Sequence, residues 1–421
     1  MRMNNSKNLF YAQSGGATAV INTTACGVIE TARQKEEINN VFVGHDGIIG
    51  ALAEELIDTS LESAETIRQL YHTPGSAFGS CRYKLPPIGQ NDEVYQRLFS
   101  VFEAHDIHYF LYNGGGDSQD TTNKVSIMSK KLGYPLKCIG LPKTIDNDLM
   151  HTDNCPGFGS AAKYIATSIK EAALDVAGMA RTSTKVFLME IMGRNAGWLA
   201  AAAGLAAEQD GDAPHIILFP EIAFNEKRFL QRVKEVVQTH GACTIAISEG
   251  LRDEHGDLLI KSSSIDAFGH VQLGGIASKV AALIKHNLGY KYHWALPDYL
   301  QRAGRHLGSK ADVEQAYAIG QAAVEAVIAE KDNIMLAIER TSNSPYQWQV
   351  GEVCLNDIAN HEKFMPKEFI SEDGYHITEA CRDYMSPLIA GECIPPFKNG
   401  LPVYARLKKQ TIPPKLSPFE I

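Results

Sequence analysis

The sequence predicts an α/β protein with largely parallel sheets, divided between two lobes. Short apolar segments of strand character alternate with amphipathic helical runs over most of the chain, the pattern of parallel strands joined by crossover helices. At 421 residues the chain exceeds what one hydrophobic core ordinarily organises. Glycine-rich and charged loops follow directly on several apolar segments, and in open α/β sheets ligands bind beyond the carboxyl ends of the strands.

The first strand is expected at 9–12, followed by Ser14-Gly15-Gly16-Ala17-Thr18 and a helical run at 20–31. Glycines here let backbone amides approach an anion, and the helix start adds positive potential. The spacing matches neither the dinucleotide-binding nor the Walker loop, so a plain strand-to-helix turn reads equally well. A second strand is expected at 41–43, and Gly79-Ser80-Cys81-Arg82-Tyr83-Lys84 then brings two cations onto a glycine-flanked loop. The strand at 109–112 runs into Asn113-Gly114-Gly115-Gly116-Asp117-Ser118-Gln119-Asp120, ahead of a helix at 121–132. An N-cap role accounts for Asp117 or Ser118. The glycine triplet loses backbone entropy on folding, which favours close approach of a phosphate as its reason.

The strand at 136–141 opens the most informative loop, Pro142-Lys143-Thr144-Ile145-Asp146-Asn147-Asp148. Phosphoryl transfer to an alcohol needs this mixture: a base for the hydroxyl proton, positive charge for phosphates and an anionic anchor for a metal ion. An Asx-rich turn is the bland alternative. Asp146 and Asp148 lie two apart, so an extended loop would point both the same way.

Past a helical run at 160–177, the strand at 186–191 leads to Met192-Gly193-Arg194-Asn195-Ala196-Gly197 and a helix at 198–207. Arg194 at that point suits bidentate capture of phosphate or sugar hydroxyls. Strands at 215–219 and 244–247 flank a helix at 229–239, and Ser248-Glu249-Gly250 sets a carboxylate at the second strand's end. Tyr299-Leu300-Gln301-Arg302-Ala303-Gly304-Arg305 precedes a helix at 311–331, and Arg302 with Arg305 could form a phosphate site. The tail, 361–421, is less periodic and richer in proline and aromatics; it is expected to wrap a lobe or form an oligomer contact.

Composition narrows the class. Hydrophobic residues at 44% and charged residues at 21% are ordinary for a soluble globular chain. No apolar run approaches the roughly 20 residues that span a bilayer, and the first seven residues carry no secretory h-region. The eight cysteines lack C-x-x-C or zinc spacing and read as reduced thiols of a cytoplasmic protein. A net charge of −9 argues against nucleic acid as a partner, while local Arg, Lys and helix starts can still hold small phosphates.

Taken in order, the S-G-G, G-G-x-D-S, P-K-T-I-D-N-D, M-G-R-N-A-G, S-E-G and Y-L-Q-R segments resemble the phosphofructokinase family over residues 9 to about 331. Lipid and nicotinamide-dinucleotide kinases share a G-G-D-G-type loop but give no reason for M-G-R and Y-L-Q-R in this order. The resemblance implies two Rossmann-like α/β lobes with mostly parallel sheets and the active site in the cleft between them. A phosphoryl-donor lobe would hold residues 1–157 plus about 302–350, and a fructose-6-phosphate lobe 158–301 plus about 351–421. By resemblance, Asp146 takes the proton from the 1-hydroxyl of fructose 6-phosphate, with Thr144 and Ile145 at the same end of the sugar. Met192, Gly193 and Arg194 would hold the sugar, Glu249 would accept from its hydroxyls, and Tyr299, Leu300, Gln301 and Arg302 would grip the 6-phosphate. Gly15, Gly16, Gly115, Ser118 and Arg82 would bind diphosphate, with Arg82 and Lys84 facing the transferring phosphate. Lys185 matches an arginine that in bacterial ATP-using members reaches in from a neighbouring subunit, and a homodimer or homotetramer is expected.

The phosphoryl donor turns on two positions. ATP-using members resemble G-G-D-G-S and G-T-I-D-N-D, with glycine where this chain has Asp117 and Lys143. A carboxylate at 117 would occupy and repel the nucleotide α-phosphate, while the Lys143 ammonium would favour pyrophosphate. Gly116 stands where many relatives have a metal-binding aspartate and offers only its carbonyl. Magnesium, Mg2+, is therefore expected to be held chiefly by pyrophosphate and water, with Asp148 nearby. The expected reaction is reversible transfer from pyrophosphate to fructose 6-phosphate, giving fructose 1,6-bisphosphate, in glycolysis and gluconeogenesis. Alternatives are an ATP-dependent 6-phosphofructokinase, opposed by Asp117 and Lys143, and a catalytically silent sugar-phosphate-binding subunit, opposed by the intact Thr144, Asp146 and Asp148.

Overall fold

The computed structural model describes residues 6–260, 273–358 and 361–421. Strands β1 (Lys7–Gln13), β2 (Ile38–Gly44), β3 (Leu56–Asp58), β4 (Ile107–Gly114) and β5 (Lys137–Pro142) belong to a seven-stranded sheet. A separate four-stranded sheet contains β6 (Val186–Ile191), β7 (Ile216–Leu218), β8 (Cys243–Ser248) and β9 (Tyr292–Ala295). The chain then returns to the first sheet with β10 (Ile334–Asn343) and β11 (Tyr346–Cys354).

The larger sheet has the order β11-β10-β5-β4-β1-β2-β3. From β10 to β2 all neighbours are parallel, and the two edge strands β11 and β3 run antiparallel. Its central strands are buried on both faces. Leu9 and Tyr11 of β1 enter one apolar cluster with Leu111 and Leu141, while Phe10 and Ala12 enter another with Phe110 and Tyr112. That explains why β1, β4 and β5 read as continuous apolar runs rather than as alternating ones. The smaller sheet has the order β7-β8-β6-β9, all parallel, and its core joins Leu188, Ile245 and Ile247 to Phe229, Val233 and Ile284.

The chain divides into two compact units. One holds Met1–Gly157, Lys310–Glu362 and Glu392–Ile421; the other holds Phe158–Ser309 and Lys363–Gly391. The boundaries differ from the expected lobes at three places. Residues 302–309 belong with the second unit, where Ser309 Oγ donates to the Leu388 carbonyl at 2.7 Å. Residues 351–362 belong with the first, because β11 pairs with β10 as far as Cys354. The tail 392–421 also belongs with the first, as a strap whose Lys408 and Lys409 amides are held by Glu62 and whose Lys415 and Leu416 amides are held by Glu54.

Helices Ile21–Ala32, Phe158–Met179, Glu226–His240 and Lys310–Ile328 lie where apolar periodicity predicts them. The expected 198–207 helix is shorter, an α-helix at Trp198–Ala202 continuing as a 3-10 turn at Ala203–Ala206. The helix expected at 121–132 begins earlier and spans Gly116–Leu132, so Asp117 and Ser118 lie in its first turn and Gly115 is the N-cap. No side chain caps that end, which leaves its amides to the loop. All eight cysteines are free, six of them buried. No helix of the described residues is long and apolar enough to cross a membrane.

Candidate active site

In the first unit the carboxyl ends of β1, β4 and β5 are hydrogen-bonded neighbours, so the three loops leaving them are brought together by sheet register. Gly15 adopts φ +73°, the left-handed region, and a Cβ built on it would lie 3.5 Å from the Lys143 Nζ. Lys143 is only 5% exposed, and its amide donates to the Gly114 carbonyl at 3.1 Å. The fourth loop joins from the side: Gly15 N–H donates to the Cys81 carbonyl at 3.1 Å and Ser80 Oγ donates to the Gly15 carbonyl at 2.8 Å. Gly15, Gly16, Arg82, Gly115, Ser118 and Lys143 thus occupy one loop cluster, with Arg82 exposed and Ser118 buried.

Lys84 forms an ion pair with Asp117, Nζ to Oδ1 at 3.1 Å. This pairing was not legible in the sequence. It offsets part of the Asp117 charge.

The loop after β5 is locally braced. Thr144 Oγ1 accepts from the Asp146 amide at 3.0 Å and donates to Asp146 Oδ2 at 3.5 Å, which orients the carboxylate. Ile145 is buried. Asn147 has φ +57° and its Oδ1 accepts from the Cys155 amide at 3.0 Å. The chain therefore does not run extended from Asp146 to Asp148, and the expectation that spacing alone aims both carboxylates the same way is corrected by this left-handed residue. Among the described residues no group of three or more His, Cys, Asp or Glu side chains could hold a metal ion. At Gly116, a Cβ would meet nothing within 4 Å. Open space beside an acidic loop fits an ion that arrives with a phosphate ligand better than a closed protein cage.

In the second unit, β6 and β8 are adjacent, and their carboxyl ends carry Met192-Gly193-Arg194 and Glu249. Gly193 has φ +129°, which excludes an ordinary side chain. Its amide donates to Glu249 Oε1 at 3.1 Å, and its carbonyl accepts from Ser248 Oγ at 3.0 Å. Burial pushes the Glu249 carboxyl above its ordinary 4.5, opposed by the Gly193 amide and the Arg194 charge. Gln301 is 1% exposed, and its Oε1 accepts from the Met192 amide at 3.2 Å. The short helix Leu300–Ala303 leaves Tyr299 and Leu300 exposed, with the Arg302 guanidinium 3.7 Å from the Tyr299 ring centroid.

Lys185 stands apart from these residues. It precedes β6 at the amino end while Met192 follows the carboxyl end, about 20 Å along a strand at about 3.3 Å per residue. Its Nζ donates to the Ala180 carbonyl. Ser248 and Gln301, which pin the Gly193 and Met192 backbone, act in ways that residue type did not reveal; the serine's position at a strand end was the available signal.

The phosphofructokinase family model matches residues 8–327, and the chain belongs to that family. It is 58% identical over 415 residues to the pyrophosphate–fructose 6-phosphate 1-phosphotransferase of Halomonas elongata, covering 98% of this chain and 99% of that one. The enzyme of the same description from Methylococcus capsulatus is 57% identical over 413 residues, with 98% of each chain covered. The crystal structure of a pyrophosphate-dependent phosphofructokinase from Marinobacter aquaeolei superposes with a TM-score of 0.91 at 55% identity, covering 99% of this chain and all of that one.

Proposed function

We propose that this chain transfers a phosphoryl group from inorganic pyrophosphate to the 1-hydroxyl of fructose 6-phosphate, giving phosphate and fructose 1,6-bisphosphate reversibly. Near-full-length similarity to relatives so described supports the acceptor and the donor together. Lys143 is the observation that carries the donor assignment. Its buried ammonium lies against Gly15, where it would meet a short inorganic donor, and Asp117 fills a neighbouring position that a nucleotide phosphate needs empty.

Asp146 accepts the proton of the attacking hydroxyl, held for that task by the Thr144 hydroxyl. Lys143 and Arg82 stabilise charge on the transferring and leaving phosphates. Met192, Gly193, Arg194 and Glu249 hold the sugar, and Tyr299 to Arg302 its 6-phosphate, with Gln301 serving mainly to fix Met192. Magnesium is the proposed divalent ion, with Asp148 as the protein residue near it; when bound it would neutralise charge on the pyrophosphate. The expected Gly116 carbonyl contact is set aside because, in the first turn of the helix Gly116–Leu132, that carbonyl points along the helix and away from the loop. The enzyme is proposed to act in the cytoplasm as a homodimer or homotetramer, with Lys185 serving the site of a neighbouring copy.

Purified protein assayed with pyrophosphate and with ATP at equal magnesium tests the donor. Turnover with pyrophosphate is expected to dominate; robust turnover with ATP and none with pyrophosphate would overturn the assignment.

A further inference from the structure

Beneath the donor-side loops lies a buried polar chain that the reaction scheme does not use. Asn22, on the first turn of the helix Ile21–Ala32, is fully buried. Its Nδ2 donates to the carbonyls of Thr73 at 2.8 Å, Pro74 at 3.2 Å and Gly75 at 2.8 Å. Its Oδ1 accepts from Gln13 Nε2 at 2.9 Å and from the Ala77 amide at 3.0 Å. Gln13 Nε2 also approaches Tyr11 Oη at 3.5 Å, and Asn113 Nδ2 donates to the same oxygen at 2.9 Å. Gln13, Tyr11 and Asn113 are all fully buried.

Each end of this chain abuts a loop. Gln13 immediately precedes Ser14-Gly15-Gly16, Asn113 immediately precedes the glycine triplet, and residues 73–77 lead into the loop that carries Arg82. A carboxamide is the side chain that fits at 22, because it presents two N–H groups to carbonyls and one oxygen to donors. A carboxylate of equal size would face three carbonyl oxygens. Connected buried networks fix position more firmly than separate contacts, and an unpartnered buried carbonyl is costly.

We propose that Asn22 is a positioning residue for pyrophosphate, acting through Gln13, Tyr11 and residues 73–77 to hold the three donor-side loops in register. The inference rests on the reading that those loops bind diphosphate. It separates donor from acceptor: loosening the base displaces Gly15 and Arg82 but leaves the residues assigned to the sugar ring and its 6-phosphate, which lie in the other unit, untouched.

Steady-state kinetics of Asn22→Asp and Tyr11→Phe test it, with Arg82→Ala in parallel. Losing about one hydrogen bond to the donor weakens its binding about tenfold, so the KM for pyrophosphate should rise about tenfold or more in Asn22→Asp and less in Tyr11→Phe. The KM for fructose 6-phosphate should stay within about twofold. A merely structural role would instead lower melting temperature and active fraction with both KM values unchanged. Tyr11→Phe removes one hydroxyl and keeps the packing, which preserves the test should Asn22→Asp fail to fold. If Arg82→Ala raises the pyrophosphate KM but folded Asn22→Asp and Tyr11→Phe do not, the inference is wrong and the site stands. If Arg82→Ala leaves that KM unchanged, the site reading fails and the inference with it.

Discussion

Lys143 is a lysine with 5% exposure, and such a group is held only where something favours its charge. Its place beside Gly15, on a loop bonded to the one that leads to Asp117, underlies the proposal that residues 117 and 143 jointly determine the donor. Replacing both (Asp117→Gly with Lys143→Gly) should lower kcat/KM with pyrophosphate about 10²- to 10³-fold, the scale of one lost preorganised charge contact, and raise turnover with ATP. A double variant that keeps its pyrophosphate preference would show that other residues select the donor. Asp146 makes a separate prediction. Asp146→Ala should cut kcat by about 10²- to 10⁴-fold while fructose 6-phosphate still binds, measured by turnover and by calorimetric titration. Unchanged turnover would remove it as the base. At this scale the sequence proposes residues whose chemistry resides in residue type, as in Lys143, Thr144 and Asp146, and the structure adds the Thr144 bracing of the Asp146 carboxylate. It was silent on Lys84–Asp117 and Gln301–Met192, because those partners are set by loops far apart in the chain.

Among the elements, β1, β4, β5, β6 and β8 were legible because burial on both faces writes an uninterrupted apolar run. The hairpin β10–β11 was not, since its outer halves alternate half-buried and exposed positions and lie in the stretch leading to the tail. Least legible of all was the C-terminal strap, which has almost no periodicity of its own. It is held instead as an added edge: Ile57 pairs with Thr411 antiparallel, Asp58 N–H donates to the Gln410 carbonyl at 2.9 Å, and Ile412 N–H donates to the Leu56 carbonyl at 2.9 Å. Glu54, 2% exposed, fastens its end by accepting the Lys415 and Leu416 amides and facing His105. Burial alone would raise the Glu54 pKa, but the Lys415 amide, His105 and the Leu416 amide outweigh it and hold the carboxyl below its ordinary 4.5. A depressed folded-state pKa contributes stability that is fully present above the unfolded value and lost as pH falls through the folded one. Thermal unfolding of the wild type should therefore weaken below pH 4.5, and Glu54→Gln should flatten that part of the profile while lowering the melting temperature at neutral pH. An acid limb of equal slope in both proteins would separate the strap from this carboxylate.

On the scale of the whole molecule, the chain supports three large apolar clusters, one on each face of the seven-stranded sheet and one around the four-stranded sheet, and it passes between the units more than once. The proposed diphosphate residues all belong to one unit, and those proposed for the sugar ring and its 6-phosphate belong to the other. A ligand that binds only the folded state stabilises what it touches by RT ln(1 + [L]/Kd), about 2.7 kcal/mol at a hundredfold excess over Kd, which is several degrees for domains of this size. Magnesium pyrophosphate alone should therefore protect backbone amides of 14–16, 80–84 and 114–118 from hydrogen exchange, and fructose 6-phosphate alone those of 192–194, 249 and 299–302. Because Thr144 and Asp146 are assigned to the reacting end of the sugar, amides 143–148 are the one segment that both ligands should slow. The pattern is read from peptide-resolved exchange with each ligand at the same multiple of its Kd. Should fructose 6-phosphate protect 14–16 and 114–118 as strongly as pyrophosphate does, the division of the two substrates between the units is wrong, even if the overall reaction is right.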